Sequence, residues 1–296
     1  MRAVAEFVMR GRLQAISVCV FGVLLPPFYW VSGAVLGLIV LRKGISEGVY
    51  VLLWSCLPLI VLLFLYGQVF LMLVLIGTVG LAYVLRTSAS WELTIAASVV
   101  VAGVSALLLE LMSGEMIAGI AESYMAVIAE LQAQAESQAN QTQALLLTYE
   151  QAYNMVFGSL AVGIALNMVL FLVLARWWQS ALYNPGGFGE EFKGLRLSPI
   201  IASALIAVIV ILMSIGVFTS APLQKWIGLI TLPMVLASIA LVHWTVAEKS
   251  LSRSWLISFY LMMIFMFQLV TPVLVATALM DSWFDLRKFL RRAKEE

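Results

Sequence analysis

Long apolar runs, separated by short polar stretches, dominate the pattern of this sequence. Many of the polar stretches carry Lys or Arg. A membrane-spanning helix needs about 20 mainly apolar residues, so these runs predict an all-α polytopic membrane protein with about eight to ten hydrophobic helices. The clearest runs are 14–41, 49–65, 69–85, 93–109, 153–174, 199–217, 226–245 and 255–280.

Two of these runs fit a pair of short helices better than a single span. The run 14–41 contains Pro26-Pro27, and proline removes a backbone donor and clashes with the preceding turn of a helix. We therefore predict two short helices there, with the turn near the outer face. The run 255–280 is interrupted at Thr271-Pro272. We predict a break at this point, shielded from lipid by neighbouring helices.

The segment 110–152 differs from the apolar runs because it contains Glu residues and lacks Lys and Arg. Its apolar residues recur at helical spacing, which is typical of an amphipathic helix. We predict one or two extracytoplasmic helices that lie outside the bilayer and pack over the ends of the spans. The apolar positions are Ile117, Ile120, Met125, Ile128 and Leu131.

The composition agrees with a membrane protein and argues against several classes of function. Hydrophobic residues make up 63 % and charged residues 11 % of the chain, against about 45–50 % and about 25 % in soluble domains. The net charge of +1 gives no basis for binding nucleic acid. The two cysteines lie in apolar runs, which excludes a disulfide framework. Because no catalytic motif is present, we expect no enzyme activity, no cofactor and no metal.

The distribution of Lys and Arg predicts the orientation, since cytoplasmic loops are enriched in these residues. With both termini in the cytoplasm, 16 of the 17 Lys and Arg residues lie inside and only Lys225 lies outside. We therefore predict a multi-pass protein of the bacterial cytoplasmic (inner) membrane. The tail helix should begin at Asp281 and lie at the inner interface, with Trp283, Leu286 and Leu290 facing lipid or the spans.

Two stretches of the chain carry a resemblance to a known family. Residues 174–197 read LARWWQSALYNPGGFGEEFKGLRL, and residues 254–260 and 279–288 read SWLISFY and LMDSWFDLRK. Both stretches resemble the YybS-type predicted membrane proteins, a bacterial family of unknown function. That family is distantly similar to the S-components of energy-coupling-factor vitamin transporters, which bind a small molecule inside six helices.

The resemblance implies a division of the chain into three parts. Residues 1–178 would form a six-helix membrane unit similar to S-components, with the acidic helices 110–152 as an addition. Within it, residues 41–48 (LRKGISEG) are similar to a Gly-bounded turn between early S-component helices. Residues 179–198 would form a cytoplasmic loop, and residues 199–296 the C-terminal membrane helices and the basic tail.

Few residues are candidates for a functional site. Asn167, His243 and Gln268 lie inside apolar runs, where polar groups are costly, and they either bind a ligand or make interhelical hydrogen bonds. The loop and the tail supply candidates for cytoplasmic docking, with a tight turn and a salt-bridged helix end as the respective alternatives. These docking candidates are Asn184, Pro185, Gly186, Gly187, Asp281, Trp283, Asp285 and Arg287.

Two functions stay open at this point. The first is a small-molecule-binding transport subunit, which predicts a cavity among the first six spans that opens outward and is lined by Asn167. The second is a non-transporting membrane scaffold or assembly partner, which predicts filled spans. Its contacts would lie at the loop 179–198, the acidic helices and the tail 281–296. The expected partners are membrane lipid and a membrane or cytoplasmic protein.

Overall fold

The computed structural model describes residues 2–67, 69–137, 148–215 and 221–295. Within these ranges the chain forms α-helices, short connections and one 3-10 turn, Pro26–Phe28. The helices are α1 (Arg2–Met9), α2 (Arg12–Leu24), α3 (Tyr29–Lys43), α4 (Ile45–Tyr66), α5 (Phe70–Ser88), α6 (Trp91–Ser137), α7 (Tyr149–Tyr183), α8 (Gly187–Gly194), α9 (Pro199–Ile215), α10 (Ala221–Glu248), α11 (Ser254–Phe265), α12 (Phe267–Phe284) and α13 (Leu286–Glu295).

Six helices in the described ranges are long and apolar enough to cross a membrane: α4, α5, α6, α7, α10 and α12. A seventh is added if α8 and α9, which are bent by 56° relative to each other, count as one broken span. The protein is therefore an all-α multi-pass membrane protein, as the apolar runs predict. The number of eight to ten hydrophobic helices stays a prediction, because α2 and α11 are apolar but shorter than a span.

Contacts between helix termini define two ends of the helix bundle. At one end, Arg86 near the end of α5 donates to the carbonyl oxygens of Val40 and Leu41 near the end of α3, at 3.0 and 2.7 Å. We call this the basic end. At the other, which we call the far end, Ser113 of α6 donates from Oγ to the carbonyl oxygen of Gly67 at 3.2 Å. Helices α4 to α7 therefore run alternately between the two ends.

The centre of the bundle is formed by α3 and α7. Every residue of α3 from Ser32 to Leu41 is buried, and α3 packs closely against α7 because it presents glycine at the contact. A Cβ atom on Gly33 would lie 2.0 Å from Cδ2 of Phe171. Such small residues allow helices in lipid to approach closely, where dispersion forces favour association.

The N-terminal hairpin has the predicted turn but not the predicted depth. Helices α2 and α3 flank the 3-10 turn that begins at Pro26, and Ser32 Oγ donates to the carbonyl oxygen of Cys19 at 2.8 Å between them. However, Tyr29 beside the turn contacts Asn167 in the middle of α7. The prediction of a turn near the outer face is therefore wrong. The 13 residues of α2 span only about 20 Å at 1.5 Å per residue, less than the bilayer core of about 30 Å.

The acidic segment is helical as far as it is described, and it continues a membrane helix. Helix α6 bends at Ser113, which has φ −141° and ψ 35°, and then extends to Ser137. Beyond the bend, Ile117 and Ala121 are fully buried. One face of this extension therefore packs on the rest of the protein. The part of the acidic segment at 138–147 lies outside the described residues.

The C-terminal apolar run forms a second hairpin, α11 and α12, whose break is not where the sequence predicts it. The non-helical residue is Met266, with φ −126° and ψ 31°. Pro272 lies inside α12, and the Thr271 hydroxyl donates to the carbonyl oxygen of Phe267 at 2.8 Å. A proline ring clashes with the turn before it, so the interruption falls upstream of the proline.

The predicted shielding of this break is also wrong. Helix α11 has no buried residue among its described positions, and Phe265, Met266 and Phe267 are exposed. The backbone groups of Met266 itself are paired, because its N–H donates to the carbonyl oxygen of Met262 at 2.8 Å. The Met266 carbonyl oxygen in turn accepts from Leu269 at 3.0 Å. These bonds satisfy the polar groups of the non-helical residue, and the exposed side chains around it are apolar.

Helix α12 returns the chain to the basic end. Ser238 of α10 donates to the carbonyl oxygen of Leu274 at 2.5 Å, and Asp285 forms an ion pair with Arg196 at 3.1 Å. The tail helix begins at Leu286 and not at Asp281, since Asp285 adopts a left-handed conformation with φ 52° that ends α12. Aspartate tolerates this conformation better than most residues.

Candidate functional site

The side-chain amide of Asn167 makes two hydrogen bonds to other groups of the protein. Its Oδ1 accepts a hydrogen bond from the Tyr29 hydroxyl of α3 at 3.2 Å, and its Nδ2 donates to the carbonyl oxygen of Gly163 at 2.8 Å. Tyr29 also packs edge-on against Phe171, with ring centroids 5.8 Å apart. Asn167 therefore links α3 to α7 by an interhelical hydrogen bond.

The helices next to Asn167 are closely packed. Met168 is fully buried and reaches α5, where a Cβ atom on Gly77 would lie 2.0 Å from its Cε. Phe171 fills the space beside Gly33 in the same way. These contacts fill the space between α3, α5 and α7, and Asn167 itself is half-buried.

The other two polar candidates of the membrane region differ in their surroundings. His243 of α10 shares a hydrogen bond with the Tyr260 hydroxyl of α11, 2.8 Å from its Nε2, and Phe192 of α8 packs edge-on against its ring. His243 thus joins three helices near the basic end. Gln268 is exposed on α12.

The predicted docking loop forms a tight turn between α7 and α8. The Gly187 N–H donates to the carbonyl oxygen of Asn184 at 3.1 Å, and Gly186 has φ 89°, a conformation that favours glycine. Ser180 fixes the turn to α7, because its Oγ donates to the Asn184 carbonyl at 2.6 Å and accepts from the Phe188 N–H at 3.1 Å. The turn is ordered by these bonds and exposed.

The tail is fixed to the chain around α8 by one arginine. Arg287 donates from Nη1 to the carbonyl oxygen of Lys193 at 2.7 Å and from Nη2 to that of Leu195 at 2.5 Å. Its Nε lies 3.2 Å from Oδ2 of Asp281, whose side chain is only 4 % exposed. Burial lowers the pKa of Arg287, while the charge of Asp281 acts in the opposite direction. The five guanidinium N–H groups make this multiple contact possible.

A second ion pair strengthens the junction. Arg196, which follows α8, pairs with Asp285 at 3.1 Å, and Lys288 pairs with the same carboxylate at 3.0 Å. Burial acts to raise the pKa of Asp285, but the hydrogen bonds from Lys288 and the charge of Arg196 outweigh it, so the pKa lies below its usual value. We call residues 187–196 and 281–291 together the loop–tail platform. Trp283 lies exposed at its edge.

A third ion pair holds α8 against α7. Arg176 forms a bidentate contact with Glu191, at 2.9 Å from Nε and 2.5 Å from Nη2, and its Nη1 donates to Oε1 of Gln179. This arginine holds the pKa of Glu191 below its usual value. The Trp91 indole also donates to Glu191 at 3.4 Å, which ties the start of α6 to the same site.

Two polar clefts flank the platform and share Gly194. The first has a volume of about 620 Å³ and the second about 530 Å³, within the range of about 300–1,000 Å³ for small-molecule sites. Groups lining the first include Arg86, Trp91, Arg176, Gln179, Glu191 and Arg196. Groups lining the second include Lys193, Trp244, Glu248, Asp285, Arg287 and Arg291.

The structure thus brings the tail candidates to the chain that follows the predicted docking turn, and His243 contacts the same chain through Phe192. Asp281, Asp285 and Arg287 meet the chain that follows the 184–187 turn, whereas Asn167 lies within the bundle. The sequence did not single out Arg196 or Glu191 as site residues. The signal that could have found them is that the loop and the tail each carry both acidic and basic residues, which allows ion pairs to form between the two segments.

Comparisons with known proteins identified no relative of this chain. No family model, no curated protein and no solved structure matches the chain. The resemblance to YybS-type proteins therefore stays a prediction. Within the described residues, no group of three or more His, Cys, Asp or Glu side chains is placed to hold a metal ion.

Proposed function

We propose that this protein is a non-transporting membrane scaffold that binds a partner protein at its loop–tail platform. One observation carries the proposal: Arg287 joins the tail to the backbone around α8, so that two segments distant in sequence form a single surface. A preorganised surface binds a partner with less loss of conformational entropy than two separate flexible segments would.

The packing of the bundle supports the same function. A substrate site among the first spans should leave polar groups free to face a ligand. Instead, the amide oxygen of Asn167 accepts from Tyr29 and its amide nitrogen donates to Gly163. Phe171 and Met168 fill the space beside it. Filled spans are what the scaffold hypothesis predicts.

The exposed charges of the platform indicate which kind of partner surface would bind to it. Glu190 and Lys288 project from the platform with side chains that are 79 % and 78 % exposed, and both residues line the second cleft. We expect a partner segment that carries both charges and inserts side chains into the clefts. Complementary charges at the rim of an interface speed association and fix its orientation.

Two platform variants and one control test this function. A tagged protein is purified from its host in mild detergent, and its stoichiometric partners are identified by mass spectrometry. Glu190→Lys and Lys288→Glu should each lose a partner that the wild type retains, whereas Glu122→Lys on the exposed part of α6 should keep it. A partner retained by both platform variants would contradict the proposal.

The first cleft favours a second candidate function, a small-molecule-binding transport subunit. Its volume is that of a ligand site, and three arginines line it. In this case the same purification should yield a bound small molecule together with an energising ATPase pair, and Arg86→Gln should reduce the bound ligand. The scaffold proposal instead expects a different stoichiometric protein and no dependence on Arg86.

The location in the cell forms part of the proposal. The basic end would face the cytoplasm of a bacterium and the bundle would lie in its inner membrane, because cytoplasmic loops are enriched in Lys and Arg. The first and last helices, α1 and α13, lie at this end. Arg12, which directly follows α1, forms an ion pair with Glu47 at the start of α4, and Arg287 of α13 contacts Lys193. The partner would then be a cytoplasmic protein or the cytoplasmic part of a membrane protein.

A further inference from the structure

Helix α6 changes direction where the bundle ends. The bend lies at Ser113, whose Oγ donates to the carbonyl oxygen of Gly67, the residue that ends α4. Gly67 and Ser113 therefore lie at the same level of the bundle. The 24 residues from Gly114 to Ser137 continue beyond this level as helix.

The extension has two apolar sectors with different surroundings. One sector, with Ile117 and Ala121, is fully buried against the protein. The other is open: its side chains recur at spacings of four, three and four residues and are 38 to 56 % exposed. Its members are Ile120, Tyr124, Val127 and Leu131. At about 100° per residue, the two sectors are neighbours on the helix.

Three carboxylates of the extension lie on the opposite side. Glu115, Glu122 and Glu130 follow the helical period on the face turned away from both apolar sectors. The helix is therefore amphipathic, and its apolar arc is about twice as wide as the part that the protein covers. An exposed apolar sector of this kind needs a second covering surface.

We propose that the open sector is covered by the bilayer, so that residues 114–134 form an interfacial helix at the far end. The sector continues the apolar surface that α6 presents just before the bend, where Leu111 is 81 % exposed. The end of α4, which contacts the bend, is similarly open, with Phe64 84 % exposed. These side chains belong to the surface that faces lipid, and the open sector extends that surface past the bend.

The charge of the segment determines which lipid surface fits. Interfacial helices that recognise anionic lipid carry Lys or Arg on the polar face, but the chain has neither between Arg86 and Arg176. Attachment therefore rests on apolar burial alone. Zwitterionic lipid should suffice, and anionic lipid should not strengthen the attachment, because it repels the carboxylates.

Depth-dependent quenching tests the proposal on the full-length protein. In a background with Cys19→Ala and Cys56→Ala, single cysteines at Ile120, Val127, Glu122 and Glu130 carry an environment-sensitive fluorophore. The protein is reconstituted in phosphatidylcholine vesicles with or without spin-labelled lipid. We expect blue-shifted emission and several-fold stronger quenching at positions 120 and 127 than at the two glutamate positions. Adding phosphatidylglycerol should leave this difference unchanged or reduce it.

Defined results would overturn the proposal. Equal quenching at all four positions would show that lipid does not cover the open sector. Emission at position 120 that shifts with protein concentration, without quenching by lipid, would identify a second copy of the chain as the cover. A Val127→Glu variant provides a readout without a label, since hydrogen exchange of residues 114–134 in vesicles should increase. Unchanged exchange in this variant would also count against the proposal.

Discussion

Lys225 of α10 donates to both carboxylate oxygens of Glu110 of α6, at 2.7 and 3.0 Å. This pair forms at the far end, and Lys225 is the one cation that the predicted orientation places outside. The Tyr153 hydroxyl donates to the same carboxylate at 3.1 Å, and the Lys225 ammonium lies 4.0 Å from the ring centroid of Phe157. Lys225 thus joins α6, α7 and α10.

Breaking this pair from one side should destabilise the bundle. Glu110→Gln or Lys225→Met leaves the remaining charge partly buried without its partner, at a cost of about 1–3 kcal/mol. The double variant should cost less than the sum of the two single variants, because it leaves no unpaired charge. Thermal unfolding in detergent measures the effect, with exposed Glu122→Gln as the control. Additive losses would show that the two charges do not interact.

A methyl group on Gly33 should disturb the contact between α3 and α7. In Gly33→Ala the new Cβ would overlap the ring of the buried Phe171, and such overpacking costs about 1–3 kcal/mol. Gly80→Ala, which meets nothing within 4 Å, is the matched control and should leave the unfolding temperature unchanged. The smaller side chain of Phe171→Leu should recover part of the stability lost by Gly33→Ala. A stable single variant would contradict the close packing of these helices.

The far end and the basic end should be accessible to water-soluble reagents from opposite sides of the membrane. In a background without Cys19 and Cys56, Glu122→Cys should react with an impermeant thiol reagent added to intact cells, and Glu190→Cys should react only after permeabilisation. A C-terminal fusion to a reporter that folds only in the cytoplasm should be fluorescent. Labelling of Glu190→Cys in intact cells would place the platform outside.

The spans could be predicted from sequence, whereas the depth of the short hairpins could not. Runs of apolar residues identify crossing helices because length and hydropathy alone decide the outcome. The position of the turn after Pro26 depends instead on a contact between Tyr29 and Asn167, 138 positions apart. The break likewise falls at Met266 and not at Pro272, and no proline, glycine or polar residue at position 266 marks it in the sequence.

The candidate site was predictable in part for a similar reason. Asp281, Asp285 and Arg287 are recognisable as charged residues next to an apolar run. The principal acceptors of Arg287 are the backbone carbonyls of Lys193 and Leu195. Every residue carries a carbonyl, so no side chain in the sequence marks these two positions as its partners.

Acidification should weaken the attachment of α8. Arg176 gives Glu191 a folded-state pKa below its unfolded value. The stabilisation is therefore complete above the unfolded pKa and is lost as the pH falls through the folded value. Hydrogen exchange of residues 187–196, corrected for the intrinsic rate, should rise over that acidic range. In Glu191→Gln this segment should be loose at neutral pH already, and its exchange should depend less on pH. An equally steep pH dependence in that variant would assign the effect to another group.

The attachment of the tail should depend on the shape of the guanidinium group of Arg287 and not only on its charge. Arg287→Lys keeps the charge but cannot reach Asp281 and the carbonyls of Lys193 and Leu195 together, because an ammonium lacks the planar fork of donors. Hydrogen exchange of residues 286–291 should therefore rise in Arg287→Lys and further in Arg287→Ala. Lys288→Ala, which removes an exposed cation, is the control and should have a smaller effect. If Arg287→Lys matched the wild type, charge alone would hold the tail.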